Sequence, residues 1–228
     1  MLRAVVFDFD GVIADDEGLH LAAFRHALAD YGITLSESEY FSKYVGFDDH
    51  DGFNAILKDR GVAEGAVALH ELMADKALEF ERLASEPVDL FPGVARLLED
   101  LRAGSNPLPL AIASGALRSE IELILGGAGL GEHFDVIVSA EDVSVGKPDP
   151  EVYRLACTRL TCSNEGLEPR DCLAIEDTIA GLQAASAAGM RTIAVTNSYP
   201  ASELRADLVV DSLQEVDRRR CASLFGEG

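Results

Sequence analysis

Three features of the sequence predict an α/β fold, a doubly wound Rossmann-like parallel sheet with a helical cap inserted into it. Ala4-Val5-Val6-Phe7 is an unbroken apolar run of strand-forming residues, the pattern of a strand buried on both faces. From Leu110 onward, short apolar runs alternate with stretches of helical periodicity. Between residues 16 and 86 only helical spacing occurs. Alternating β and α units build a parallel sheet through right-handed crossovers. The first strand belongs to that sheet, so the helical block is an insertion. The predicted division is a core of 1–15 and 87–228 and a cap of 16–86.

The elements follow in order. Asp8-Phe9-Asp10-Gly11 ends the first strand, and Gly11 permits a sharp departure of the chain. Leu21, Phe24, Leu28 and Tyr31 then recur at helical spacing, with Gly32 as the stop. Residues 36–45 and 52–60 read as short helices. Leu69, Leu72, Met73, Phe80 and Leu83 mark a longer one that Pro87 ends, and Pro92-Gly93 opens a helix carrying Val94, Leu97, Leu98 and Leu101. The later strands are 110–113, 136–139, 172–175, 192–195 and 208–210, with helices at 116–126, 149–160 and 178–188. The glycine-rich run 126–131 follows a helix and lacks G-x-G-x-x-G spacing, so it reads as a helix stop and turn.

Composition narrows the class. The chain has 228 residues, 48% of them hydrophobic, enough for a proper core. Its formal charge of -21 excludes nucleic acid and anionic membrane as partners. The single basic cluster, Arg218-Arg219-Arg220, is expected in the last turn of a helix. Four cysteines show no C-x-x-C spacing, and Cys172 lies in an apolar run as a buried thiol would; the expectation is a reducing compartment and no disulfide framework. The N-terminal apolar run is too short for a signal peptide, and none is long enough to span a membrane. The expectation is a cytoplasmic protein, a monomer or weak dimer, acting on a small molecule.

Function concentrates at the strand ends. Asp8 and Asp10 leave the first strand on the same side if its alternation continues. Their mutual repulsion would be offset by a divalent cation at the carboxyl edge, where open α/β sheets bind ligands. Ser114-Gly115 ends the second strand, which suits phosphate binding at a helix start, or a plain N-cap serine. Lys147 stands between Gly146 and Pro148 in a stiff turn, where a fixed cation can neutralise a carboxylate or phosphate. Glu176-Asp177 ends a further strand, with Asp177 or Thr178 also able to cap the next helix. An acid pair, a hydroxyl, a lysine and a second acid pair thus meet at one edge.

These motifs, in this order, resemble the haloacid dehalogenase superfamily, in the group that holds β-phosphoglucomutase and sugar-phosphate phosphatases. The resemblance covers nearly the whole chain. It implies that Asp8 is the nucleophile and forms an aspartyl-phosphate, and that Asp10 protonates the leaving oxygen and then deprotonates water. It implies Mg²⁺ held by the Asp8 carboxylate, the Asp10 main-chain carbonyl and Asp177, with Glu176 as ligand or close support. Ser114 would hold a phosphoryl oxygen, and Lys147 would offset negative charge. The founding dehalogenases lack the second acid and need no metal, so Asp10 and Asp177 argue against their chemistry.

The loop from Gly46 to His50 is the candidate for substrate selection. Glu17 fits the family pattern, whereas Asp16 replaces its usual Ser or Thr. His20 is a candidate to touch substrate or assist Asp10. Gly46, Phe47 and Asp48, in the loop that runs to His50, and Gly115 are candidate substrate contacts. The mutases carry an arginine in that loop for a second phosphate. Asp48 and Asp49 stand there instead and would repel one, so a phosphatase for monophosphates is expected. A phosphomutase and a non-catalytic metal-binding interaction protein are the rival expectations.

Overall fold

The computed structural model describes residues 1–63, 65–162 and 165–226. Strands β1 (Ala4–Phe7), β2 (Leu110–Ala113), β3 (Val136–Val138), β4 (Cys172–Glu176), β5 (Arg191–Val195) and β6 (Leu208–Val210) form one sheet. Its order is β3-β2-β1-β4-β5-β6, and every pairing is parallel. The direction of winding reverses between β1 and β4, which opens a crevice at their carboxyl ends. Phe7 pairs with Ile112 on one side and Ile175 on the other, so Asp8, Ser114 and Glu176-Asp177 arrive at the same edge.

Period-2 alternation sends the strand side chains to two apolar layers. Val5, Phe7, Leu110, Ile112 and Ile175 pack with helices α5 (Val94–Arg102) and α6 (Arg118–Ala128). Ala4, Val6, Ala111, Ala113, Cys172 and Ala174 pack with α7 (Glu151–Thr161) and α8 (Ile179–Ala188). The small side chains on this second face let α8, itself built on Ala184, Ala185 and Ala188, lie close to the sheet.

Between β1 and α5 the chain forms α1 (Glu17–Ala29), α2 (Glu37–Lys43), α3 (Asp49–Asp59) and α4 (Leu69–Leu83). They enclose their own core of Leu21, Phe24, Leu28, Tyr40, Phe53, Ile56 and Leu72. The two passages of chain between this helical block and the sheet are tied together. The Asp15 N–H donates to the Asp89 carbonyl at 2.9 Å, and the Phe91 N–H to the Ile13 carbonyl at 3.0 Å.

Several boundaries differ from expectation. Helix α3 begins at Asp49 rather than 52, because Asp48 caps it by accepting the Asp51 N–H at 2.8 Å. Helix α6 starts at Arg118 and runs through Gly126 and Gly127, stopping only where Gly129 turns left-handed. The three arginines open α9 (Arg218–Ser223) instead of ending a helix. The Asp217 carboxylate caps α9, and the Arg218 guanidinium donates to the carbonyls of Leu101, Ala103 and Asn106.

Candidate active site

Asp8 leaves the end of β1 almost fully buried, with its Oδ1 2.8 Å from Lys147 Nζ. The same ammonium lies 2.7 Å from Glu176 Oε1, which also accepts the Tyr153 hydroxyl at 2.7 Å. The other oxygen, Glu176 Oε2, accepts the N–H groups of Asp177 and Thr178 and the Thr178 hydroxyl, at 3.1, 3.2 and 3.0 Å. Glu176 therefore has five donors and no exposure. Helix α8 can approach it only through Gly181, where a Cβ would fall 1.8 Å from Glu176 Oε1.

Asp177 is equally buried. Its Oδ2 accepts the Ser198 hydroxyl, while Oδ1 has no partner among the described residues. Gly11 is required here twice over. Its φ is +74°, and a Cβ on it would lie 2.0 Å from Asp177 Oδ2. Asn197 holds the turn by donating to the Gly11 carbonyl at 2.6 Å.

The Asp8 and Asp10 side chains do not share one cluster, contrary to the simple alternation argument. Strand geometry stops at Phe7, and the Phe9–Ala14 turn, closed by the Ala14 N–H on the Phe9 carbonyl at 3.1 Å, carries Asp10 toward α1. Asp10 Oδ1 lies 3.6 Å from His20 Nε2, and Asp10 Oδ2 accepts the Ser114 hydroxyl at 3.4 Å. The oxygens of Asp8 group instead with those of Glu176 and Asp177. Ser114 is not the cap of α6. Its Oγ accepts the Ala116 N–H at 2.9 Å, two residues before that helix begins.

One cleft unites the sheet edge with the helical block. Asp8, Asp10, Lys147 and Gly115 line it from the sheet; Glu17, His20, Gly46, Phe47 and Asp48 line it from the other side. Ser114, Glu176 and Asp177 are buried beside these groups. The Glu17 carboxylate accepts the Tyr40 hydroxyl at 2.8 Å, which fixes it at the cleft wall. Gly46 adopts φ +82° and approaches Thr178 closely. Asp49 is paired with Lys76 at 3.0 Å, and Lys76 reaches Glu120 at 2.8 Å.

Burial and charge set the protonation of the site. Burial and the Glu176 charge push the Asp8 carboxyl well above its ordinary range, with Lys147 pulling the other way. Burial and Glu176 also push Asp177 well up. Burial opposes ionisation of Glu176, yet Lys147 outweighs it and holds that acid below its usual value. At Asp10, too, burial is outweighed, here by the neighbouring His20. Burial and the Asp10 charge push Asp16 well up. Lys147 stays firmly cationic, because Asp8 and Glu176 overcome its desolvation.

Sequence reasoning did not single out Tyr153, Lys76, Ser198 or Asn197. Tyr153 sits on the apolar stripe of α7 and looks like plain core. Lys76 did leave a signal: it interrupts the stripe Leu72, Lys76, Phe80 at four-residue spacing, where an apolar side chain belongs. A fully buried lysine must be paired, and this one is.

The haloacid dehalogenase-like hydrolase family model matches residues 5–195, most of the chain. The chain belongs to that family. Among curated relatives of this hydrolase, Protein CbbY of Rhodobacter capsulatus is 32% identical, covering 87% of each chain. Beta-phosphoglucomutase of Bacillus subtilis is also 32% identical, over 92% of this chain and 89% of the relative. Of solved structures, CbbY from Rhodobacter sphaeroides in complex with phosphate aligns with a TM-score of 0.83 at 28% identity, covering 94% of this hydrolase and 96% of that chain. Beta-phosphoglucomutase from Clostridium difficile aligns at 0.86 and 26% identity, over 99% and 97%.

Proposed function

We propose that this hydrolase is a Mg²⁺-dependent phosphatase that cleaves a small phosphate monoester, a sugar phosphate or similar metabolite, through an aspartyl-phosphate on Asp8. The observation that carries the reading is the separation of two acids by environment. Asp8 is held by Lys147 at the sheet edge, and Asp10 is held apart from it beside His20 and Ser114. One carboxylate is placed to attack while the other handles protons. In this reading 1–15 and 87–228 form the catalytic core, and 16–86 form a cap that shields the reacting groups from water.

An Asp8 oxygen attacks phosphorus, and the bond to the leaving oxygen breaks as that oxygen takes a proton from Asp10. Asp10 then takes a proton from water, the water oxygen attacks phosphorus, and phosphate leaves as the Asp8 carboxylate reforms. Ser114 orients a phosphoryl oxygen, and the Lys147 ammonium balances charge on Asp8 and the transferring group. The unpartnered Asp177 Oδ1 and the cluster of Asp8, Glu176 and Asp177 oxygens fit a hard divalent cation. Asp8, Asp177 and the Asp10 carbonyl would hold it. Glu176, its oxygens already taken by five donors, acts from behind by fixing Lys147. Bound Mg²⁺ supplies positive charge for the phosphoryl oxygens.

The substrate end of the cleft favours a monophosphate. Among the described residues lining it, Lys147 is the sole lysine or arginine, and Asp48 and Asp49 stand where a second phosphate would need a cation. Lys76 is already shared by Asp49 and Glu120. The relative named Fructose-1-phosphate phosphatase YqaB of Escherichia coli, 28% identical, supports the sugar-phosphate class. The similarity to beta-phosphoglucomutases keeps a mutase as the second reading. The deciding experiment is phosphate release from hexose phosphates, pentose phosphates, phosphoglycolate and nucleotides, with Mg²⁺ and with chelator. β-Glucose 1-phosphate should be assayed with and without glucose 1,6-bisphosphate. Mg²⁺-dependent release from one class is expected; isomerisation without release would establish the mutase instead.

A further inference from the structure

A second group of ligating atoms lies where the Phe9–Ala14 turn meets the start of α1. Asp10, Asp16 and His20 each offer one, and all lie within 4.8 Å of one another. Asp16 is 1% exposed, yet neither of its carboxylate oxygens has a hydrogen-bond partner among the described residues. His20 Nε2 and Asp10 Oδ1 are likewise buried without a hydrogen bond. His20 Nε2 thus faces one oxygen of Asp10 and one of Asp16, all three buried without a hydrogen bond inside 3.5 Å among the described residues, which is costly in a protein interior. His20 Nε2 stands 3.6 Å from Asp10 Oδ1 and 3.8 Å from Asp16 Oδ2. Those separations are long for hydrogen bonds. They are close to the edge of about 3.4 Å that a tetrahedral ion imposes on nitrogen and oxygen ligands about 2.1 Å away.

The surroundings add negative charge. Glu17 lines the same cleft, and the nearby Lys76 is committed to Asp49 and Glu120. Packing holds the imidazole in place, its ring centroid 4.4 Å from that of Phe80. Asp10 and His20 both border the cleft, which provides an entry path.

We propose that Asp10, Asp16 and His20 form a binding site for a transition-type divalent cation such as Zn²⁺ or Co²⁺, distinct from the carboxylate set of Asp8, Glu176 and Asp177. Two carboxylates and an imidazole suit borderline cations, whereas Mg²⁺ prefers an all-oxygen shell. Asp16 is the residue that makes the site, since a hydroxyl at that position would supply no anionic ligand. On the reading of Asp10 as the proton-transfer group, occupation engages its carboxylate, so Zn²⁺ inhibits Mg²⁺-supported turnover.

The test is direct binding to the full chain, independent of turnover. Metal-stripped protein carrying Asp177→Asn and His50→Gln, which disable the other two candidate clusters, is titrated with Co²⁺ and followed by its visible absorption. One Co²⁺ per chain is expected. Adding Asp16→Asn or His20→Gln should weaken it at least about a hundredfold, since losing a ligand costs more than losing the groups that support one. The Asp177→Asn, His50→Gln protein loaded with Co²⁺ should also show a paramagnetically shifted imidazole N–H resonance from His20, a readout that does not depend on whether Asp16→Asn or His20→Gln folds. No Co²⁺ uptake, or uptake that persists in both Asp16→Asn and His20→Gln, would overturn the site. Co²⁺ binding without any phosphatase activity would leave the site standing and remove only the inferred inhibition.

Discussion

At Asp8, burial and the neighbouring acids push one way and Lys147 pulls the other. Burial and the charges of Glu176 and Asp177 favour the protonated carboxyl; Lys147 2.8 Å away is the counterweight the protein supplies. A nucleophile must be ionised, so a cation is needed to complete what Lys147 begins. Asp8→Asn removes the attacking oxygen charge and leaves the side-chain shape. Turnover should fall by at least about a thousandfold, in line with losses of other catalytic nucleophiles. The far-UV circular dichroism spectrum should not change. Retained activity would remove Asp8 from the role proposed for it.

Among the elements, α4 is joined to α3 and α6 by one side chain. Lys76 lies fully buried in the stripe of α4 and bridges Asp49 on α3 and Glu120 on α6, so it links the helical block to the sheet layer. Lys76→Met keeps the stem volume but leaves two largely buried carboxylates without their cation. Removing one partner of a buried ion pair costs about 3–5 kcal/mol, so urea unfolding should show a loss of that size. A change under about 1 kcal/mol would mean that the two acids are satisfied in another way.

For the whole molecule the acid site makes stability depend on pH and on metal together. Asp8 and Asp177 have raised values in the folded state, so the native protein binds more protons there than the unfolded chain does. Stability from this source is present at low pH. It is lost as pH climbs from the ordinary carboxylate range near about 4 through the raised values. Glu176 and Asp10, held low, act oppositely and lose stability as pH falls below that range. Mg²⁺ binds the ionised carboxylates, so its effect should grow with pH. At one fixed Mg²⁺ concentration, about a hundred times the Kd at pH 8, the Tm increase should be small near pH 5, where binding is weaker. It should approach roughly 5–10 °C near pH 8, from about 2.7 kcal/mol of binding linkage. A shift independent of pH would mean that Asp8 and Asp177 do not take the ion.

The sheet, its parallel sense and the helical insertion were legible in the sequence, because apolar runs, helical spacing and alternation are local patterns that burial enforces residue by residue. Asp8, Ser114 and Glu176-Asp177 were legible as strand-end polar groups for the same reason, and Lys147 as a lysine held between Gly146 and Pro148 in the loop after β3. The tertiary structure decided which of them face one another. The turn at Gly11 sends Asp10 away from Asp8 and toward Asp16 and His20, and no periodicity carries past the end of a strand to predict that. It also decided that Glu176 is a hub for Lys147 and Tyr153, and that Asp49 is neutralised by a lysine 27 positions later in the chain. Such pairings depend on distances between elements far apart in sequence, where burial makes an unpaired charge costly and leaves open which partner the fold brings to it.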